Sequence, residues 1–136
     1  MSKPIPTIQT FMTTSPHSIG PDQTLAVAQR MMHDHRIRHL PVLAGGRLVG
    51  MLSERDVALI ETLKDVDPTT VTVEDAMSNE VYAVSPDASL DEVVGTMAEH
   101  KYGSSVIVQN AKVVGIFTTV DACRALSELL HGRLAK

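Results

Sequence analysis

Shifted by 65 residues, this chain of 136 falls on itself without a gap. Met12 meets Met77, Pro21-Asp22 meets Pro86-Asp87, and Leu25 meets Leu90. Met32 meets Met97, His35 meets His100, Val49-Gly50 meets Val114-Gly115, and Asp56 meets Asp121. The exchanges between these identities keep chemistry: Thr24 for Ser89, Arg36 for Lys101, Ser53 for Thr118. A lone unit of about 60 residues buries too little surface to be comfortable. Two copies are too few for an open solenoid. The duplication therefore predicts two like halves sharing a core about a pseudo-two-fold axis. Between such halves runs a seam, and seams are where small ligands bind.

Periodicity gives each copy the order β-α-β-β-α. In the first, His17 to Ile19 reads as a short strand. Thr24 reads as the N-cap of a helix whose Leu25, Ala28, Met31, Met32 and His35 recur at spacings of three and four. His39 to Leu43 and Leu48 to Leu52 read as strands joined by a Gly45-Gly46 turn, since Gly supplies the positive φ of hairpin turns. Ser53 then caps a helix to about Leu63. The second copy repeats this. It has a strand Val81 to Val84, a helix with a capping box from Ser89 to Glu92, a hairpin around Asn110-Ala111, and a closing helix from Thr118 to about Leu130. The expected organisation is an arm at 1–7, repeats at 8–63 and 73–131, a polar linker at 64–72 and a tail at 132–136. The fold class is α/β (α+β), as tandem β-α-β-β-α repeats.

Composition removes several function classes. Net charge is −4 with 3% aromatic residues, and no basic tract is present to neutralise phosphates, so nucleic acid is not an expected partner. No apolar run approaches the roughly 18 residues of a membrane span. The opening residues lack a signal-peptide pattern and Cys123 has no internal partner, so a cytoplasmic address is expected. Cys123 matches Ala58 and reads as a small buried filler. His33 and His35 point to different faces of a helix, and no set of three or four convergent ligands is visible, so no metal site is expected. His35 and His100 read as helix C-terminal residues that favour the negative dipole end. No Ser-His-Asp set, P-loop or dinucleotide fingerprint occurs, and no catalytic residue or enzymatic activity is expected.

The strictest repeat is the junction from last strand into last helix. It reads Gly50-Met51-Leu52-Ser53-Glu54-Arg55-Asp56 in one copy and Gly115-Ile116-Phe117-Thr118-Thr119-Val120-Asp121 in the other. The shared form is Gly, two apolar residues, a hydroxyl residue, two variable residues, then Asp. On tandem β-α-β-β-α units this pattern resembles the CBS domain pair, or Bateman module, over residues 8–131. The resemblance implies a regulatory module that binds AMP, ADP, ATP or S-adenosylmethionine in the cleft between its repeats, with no other cofactor required. It implies Asp56 and Asp121 as acceptors for the ribose hydroxyls. Ser53 and Thr118 would contact ribose or phosphate. Ser18, Ile19, Tyr82 and Ala83, with His39, Leu40, Pro41, Ser104, Ser105 and Val106, would read adenine. It also implies a homodimer of pairs, acting in trans on an unidentified target protein.

The residues add an asymmetry. Arg38, His39 and Arg55 surround the first junction, and Gly103, Ser104 and Val120 stand at the matching places of the second. Charge-assisted bonds to phosphate need Arg, Lys or His⁺, so the first copy is the better equipped for a phosphorylated ligand. Copy two also has Val106 where copy one has Pro41. Another reading stands beside this one. Ser53-x-x-Asp56 and Thr118-x-x-Asp121 are capping boxes, which explain both pairs with no ligand. On that view the chain is a ligand-free interaction domain for an enzyme or transporter.

Overall fold

The computed structural model describes residues 4–134, with side chains as far as residue 132. The expected arm at 1–7 and tail at 132–136 therefore lie partly outside the described residues. In chain order the elements are a 3-10 turn Ile8–Thr10, β1 Thr13–Thr14, α1 Leu25–His35, β2 His39–Ala44, β3 Arg47–Ser53 and α2 Glu54–Glu61. There follow α3 Val73–Ala76, β4 Ala83–Val84, α4 Leu90–His100, β5 Ser104–Gln109, β6 Lys112–Thr118 and α5 Thr119–Leu134. The chain divides into a continuous unit, residues 16–81, and a discontinuous one that joins residues 4–15 to residues 82–134.

In the continuous unit β2 and β3 form an antiparallel hairpin. Single bridges extend it on both sides, Ile19 parallel to Val42 and Met51 antiparallel to Ser78. The strand expected at His17 to Ile19 is thus one bridge. The core gathers Leu25, Ala28 and Met32 of α1 with Leu40, Val42, Leu52, Val57 and Val73. The apolar spacing of three and four on α1 is what faces that helix inward. Arg36 closes α1 in the left-handed conformation (φ 54°), and Lys101 does the same for α4 (φ 60°).

The discontinuous unit has the same plan with longer ladders. Its sheet order is β1-β6-β5-β4, with β4 parallel to β5 and the other pairs antiparallel. Leu90, Val93 and Met97 of α4 pack with Ile8, Ile107, Phe117 and Ala125. Each hairpin carries a register shift at the matching place, after Val42 and after Ile107. Both turns hold two successive positive φ values, at Gly45 and Gly46 and at Asn110 and Ala111. The closing helix runs past Leu130 to Leu134.

Two local expectations fail. Ser89 precedes α4 but makes no side-chain cap bond; its hydroxyl donates to the Asp91 carboxylate two residues on, and in that orientation its oxygen accepts no helix N–H. Cys123 is exposed, because it lies on the outward side of α5 while Ala125 faces the core.

The leading segments are exchanged between copies. Residues that open the second repeat dock on the first: Leu25 N–H donates to Val71 O (3.0 Å), and Val73 N–H to Gln23 O (2.8 Å). Residues that open the first repeat dock on the second in the matching way. Leu90 N–H donates to Pro6 O (2.9 Å), and Ile8 N–H to Ala88 O (2.8 Å). Met77 and Ser78 cover Gly50, and Met12 and Thr13 cover Gly115. The Gly shared by the two junctions is where this close approach occurs.

Candidate functional site

At the first junction β3 runs directly into α2. Ser53 is the extended N-cap residue (φ −108°, ψ 160°). Its hydroxyl accepts the Asp56 N–H at 3.1 Å, and Asp56 Oδ2 accepts the Ser53 N–H at 2.9 Å. This reciprocal box satisfies two of the free N–H groups of the helix start. Asp56 is half-buried. Among the described residues of its unit, its second oxygen, Oδ1, accepts no hydrogen bond. A carboxylate has about four acceptor positions, so roughly three remain open here.

The groups around Asp56 are basic or titratable. His39 lies opposite Ser53 in the β2–β3 register. Burial lowers the His39 pKa, with the Asp56 carboxylate pulling it back up and the Arg38 charge lowering it further. The imidazole is therefore neutral at pH 7, and a charge-assisted bond to phosphate requires it to take up a proton. Arg38 holds Glu54 at 3.7 Å across an exposed surface, and its carbonyl accepts the Glu54 N–H at 2.9 Å. Arg55 is exposed on α2.

The second junction has the same box and a different load. Thr118 N–H donates to Asp121 Oδ2 at 2.9 Å, and Asp121 N–H donates to Thr118 Oγ1 at 3.3 Å. Thr118 Oγ1 also donates to Oδ2 at 3.2 Å. Thr13 Oγ1 lies 3.2 and 3.3 Å from the two carboxylate oxygens. Arg124 Nη1 donates to Oδ1 at 3.0 Å. Asp121 is only 5% exposed. Its acceptor positions are filled by four groups of the chain itself. Thr13 and Arg124 are the site residues that sequence reasoning missed. Arg124 carried a usable signal, three residues after Asp121 on a helix, and Thr13 carried none.

The adenine-reading candidates lie along β2 and β5 and on the segments at their edges, Ser18-Ile19 and Tyr82-Ala83. Ile19 N–H donates to Pro41 O (3.1 Å), Leu43 N–H to Ile19 O (2.9 Å), and Val106 N–H to Tyr82 O (2.9 Å). These amides are already paired. Ala83 pairs with Val106, and Ser104 with Thr118. Ser18 is half-buried. Leu40, Pro41, Ser105 and Val106 are fully buried. Ser105 stands opposite Phe117, and its hydroxyl has no partner among the described residues. In the first copy the same pair of positions is Leu40 opposite Leu52. A Ser–Phe pair thus fills the volume of a Leu–Leu pair, which keeps the packing and leaves one polar atom stranded.

A groove of about 320 Å³ lies between α1 and α2, with Met32, Ile37 and Val57 in its floor and Glu54 and Glu61 on its rim. A side-chain bond from Gln29 to Glu61 crosses it. No helix among the described residues is long and apolar enough to cross a membrane.

The family model for the CBS domain matches residues 8–60 and again 73–128. Hypoxic response protein 1 of Mycobacterium tuberculosis is 31% identical over 123 residues, 90% of this chain and 86% of that protein. The CBS domain-containing protein YhcV of Bacillus subtilis is 34% identical over 114 residues, 84% of this chain and 81% of that one. Among solved structures, a CBS domain pair in complex with 5′-methylthioadenosine and S-adenosyl-L-methionine superposes with a TM-score of 0.84 at 24% identity, covering 92% and 98% of the two chains. CBSX2 in complex with AMP gives 0.80 at 23%, covering 90% and 97%. Hypoxic Response Protein I with two coordinated zinc ions gives 0.75 at 30%, covering 89% and 99%. Among the described residues of this chain no group of three or more His, Cys, Asp or Glu is placed to hold an ion.

Proposed function

This chain belongs to the CBS domain family as a tandem pair, and from that membership we propose that it is a regulatory module sensing an adenosine-containing ligand. AMP, ADP, ATP and S-adenosylmethionine are the candidate ligands, and no other cofactor is required. One observation carries the reading. The half-buried Asp56 carboxylate is held by its own helix cap and, among the described residues, keeps one oxygen without a donor, near the His39 ring, which also feels the Arg38 charge. A free carboxylate edge is the natural acceptor for vicinal ribose hydroxyls. The start of α2 adds a positive dipole end for an anion. The two adenosyl complexes support the reading at the level of fold.

The ligand shifts the module only through unequal affinity for two arrangements, so the output is a change in packing with a partner. The chain works in a cytoplasmic setting and performs no chemistry on its ligand. Calorimetric titration with AMP, ATP and S-adenosylmethionine tests this, with Asp56→Ala as control. Heat of binding that disappears in Asp56→Ala supports the sensor. Silence for all three ligands from folded protein defeats it.

A second reading, a ligand-free interaction domain, draws on the exposed apolar residues of α5: Val120, Leu126, Leu129 and Leu130. In that reading Asp56→Ala loses only about 1 kcal/mol of helix capping. The same exposed residues are our candidates for the contact of a homodimer.

A further inference from the structure

The two junction aspartates differ in what is already bound to them. Asp121 accepts from Thr118 N–H and Oγ1, Thr13 Oγ1 and Arg124 Nη1. A carboxylate offers about four acceptor positions, and these donors take them all. At the first junction the counterparts of Thr13 and Arg124 are Ser78 and Leu59. Ser78 Oγ turns away and donates to Glu80 O at 3.2 Å, and Leu59 has no donor. Asp56 therefore keeps the open edge that Asp121 lacks.

We infer that Thr13 and Arg124 close the second junction, so that Asp121 latches the leading segment to the start of α5 and the chain binds one adenosyl ligand, at Asp56. Thr13 begins β1, which pairs with β6 at Ile116 and Gly115. A ribose reaching Asp121 has to displace the Thr13 hydroxyl, and with it a contact that fixes a segment 108 residues away in sequence. The ligand half of this inference rests on the sensor reading above. The latch half does not.

The test uses the full chain. Hydrogen exchange of the ligand-free protein reads the latch, and titration with AMP reads the site count. In Thr13→Ala, amides of residues 8–14 exchange about tenfold faster than in the wild type, as expected for loss of a hydrogen bond to a charged group. Asp56→Asn leaves those amides unchanged. Wild type binds one AMP per chain, Thr13→Ala/Arg124→Ala binds two, and Asp56→Asn binds none. Unchanged exchange in Thr13→Ala overturns the latch. Two AMP per wild-type chain, or one in the double variant, overturns the closed junction. Absence of AMP binding by the wild type counts against the sensor reading for this probe, and the exchange result then decides the latch alone.

Discussion

Met77 lies across Gly50 so closely that a Cβ at residue 50 would sit 2.5 Å from its sulfur and 2.9 Å from the Ser78 carbonyl oxygen. The thioether can bend away. The carbonyl cannot, because Ser78 O accepts the Met51 N–H at 3.0 Å. Gly50→Ala is therefore expected to destabilise by about 1–3 kcal/mol, the usual cost of overpacking. Thermal unfolding reads this as a fall of several degrees. An unchanged midpoint would mean that residues 77–78 do not rest on Gly50.

Ser105 gives the opposite sign. Its buried hydroxyl has no partner among the described residues, and an unsatisfied polar group costs about 1–3 kcal/mol. Ser105→Ala removes the hydroxyl and little volume. The expected result is a raised melting temperature. A lowered one would reveal a partner for the oxygen.

The second hairpin turn holds Ala111 at φ 65°, where the first has Gly46 at 83°. The left-handed region costs a residue with a Cβ about 1–2 kcal/mol. Ala111→Gly is expected to stabilise by about 1 kcal/mol in a denaturant titration. The gain is reduced by the greater freedom of Gly in the unfolded chain.

His39 makes stability depend on pH. Burial lowers its pKa in the folded protein, so the unfolded chain binds the proton more readily. Stability is full above the usual histidine value of about 6.5. It declines as pH falls through that value towards the folded one, by at most about 1.4 kcal/mol per pH unit. His39→Gln should flatten this part of the profile. A ligand phosphate close to the ring would raise the pKa again, so AMP binding below the usual histidine value should take up more protons in the wild type than in His39→Gln, the ligand's own phosphate contributing equally to both. Calorimetry in buffers of different ionisation enthalpy measures that uptake.

Leu126 and Leu130 are each about half exposed on α5 (58% and 46%). If this face joins two chains, Leu126→Glu/Leu130→Glu should convert a dimer to a monomer in sedimentation velocity. A wild-type protein that is already monomeric at high concentration would remove the homodimer proposal.

Much of this was legible in the residues. Leu25, Ala28 and Met32 announced a buried helix face, and their counterparts Leu90, Val93 and Met97 announced it again. Ser53-x-x-Asp56 and Thr118-x-x-Asp121 form the expected boxes because a capping box is a local object, closed within four residues. Ser89 did not, because its side chain is oriented towards Asp91 rather than the helix N–H groups, and pattern alone does not rank two side-chain orientations. The exchange of leading segments had no signature. In an in-register duplication the segment before each copy fits either copy equally well, and only the folded chain selects. Thr13 escaped notice for the same reason, since its partner is set by that exchange. Cys123 was misplaced because a small residue on a helix does not declare which side it faces.

The exchange has a consequence for synthesis. The unit at residues 16–81 is contiguous and can close as soon as Val73, which enters its core, and Ser78, which bridges to Met51, have left the ribosome. The leading segment has no such luck: Thr13 finds Asp121 only 108 residues later. At ordinary translation rates that is roughly 5–20 s. Over that interval Ile8 and Met12 are a nascent-chain liability, a short apolar stretch open to chaperones until the second hairpin emerges to receive it.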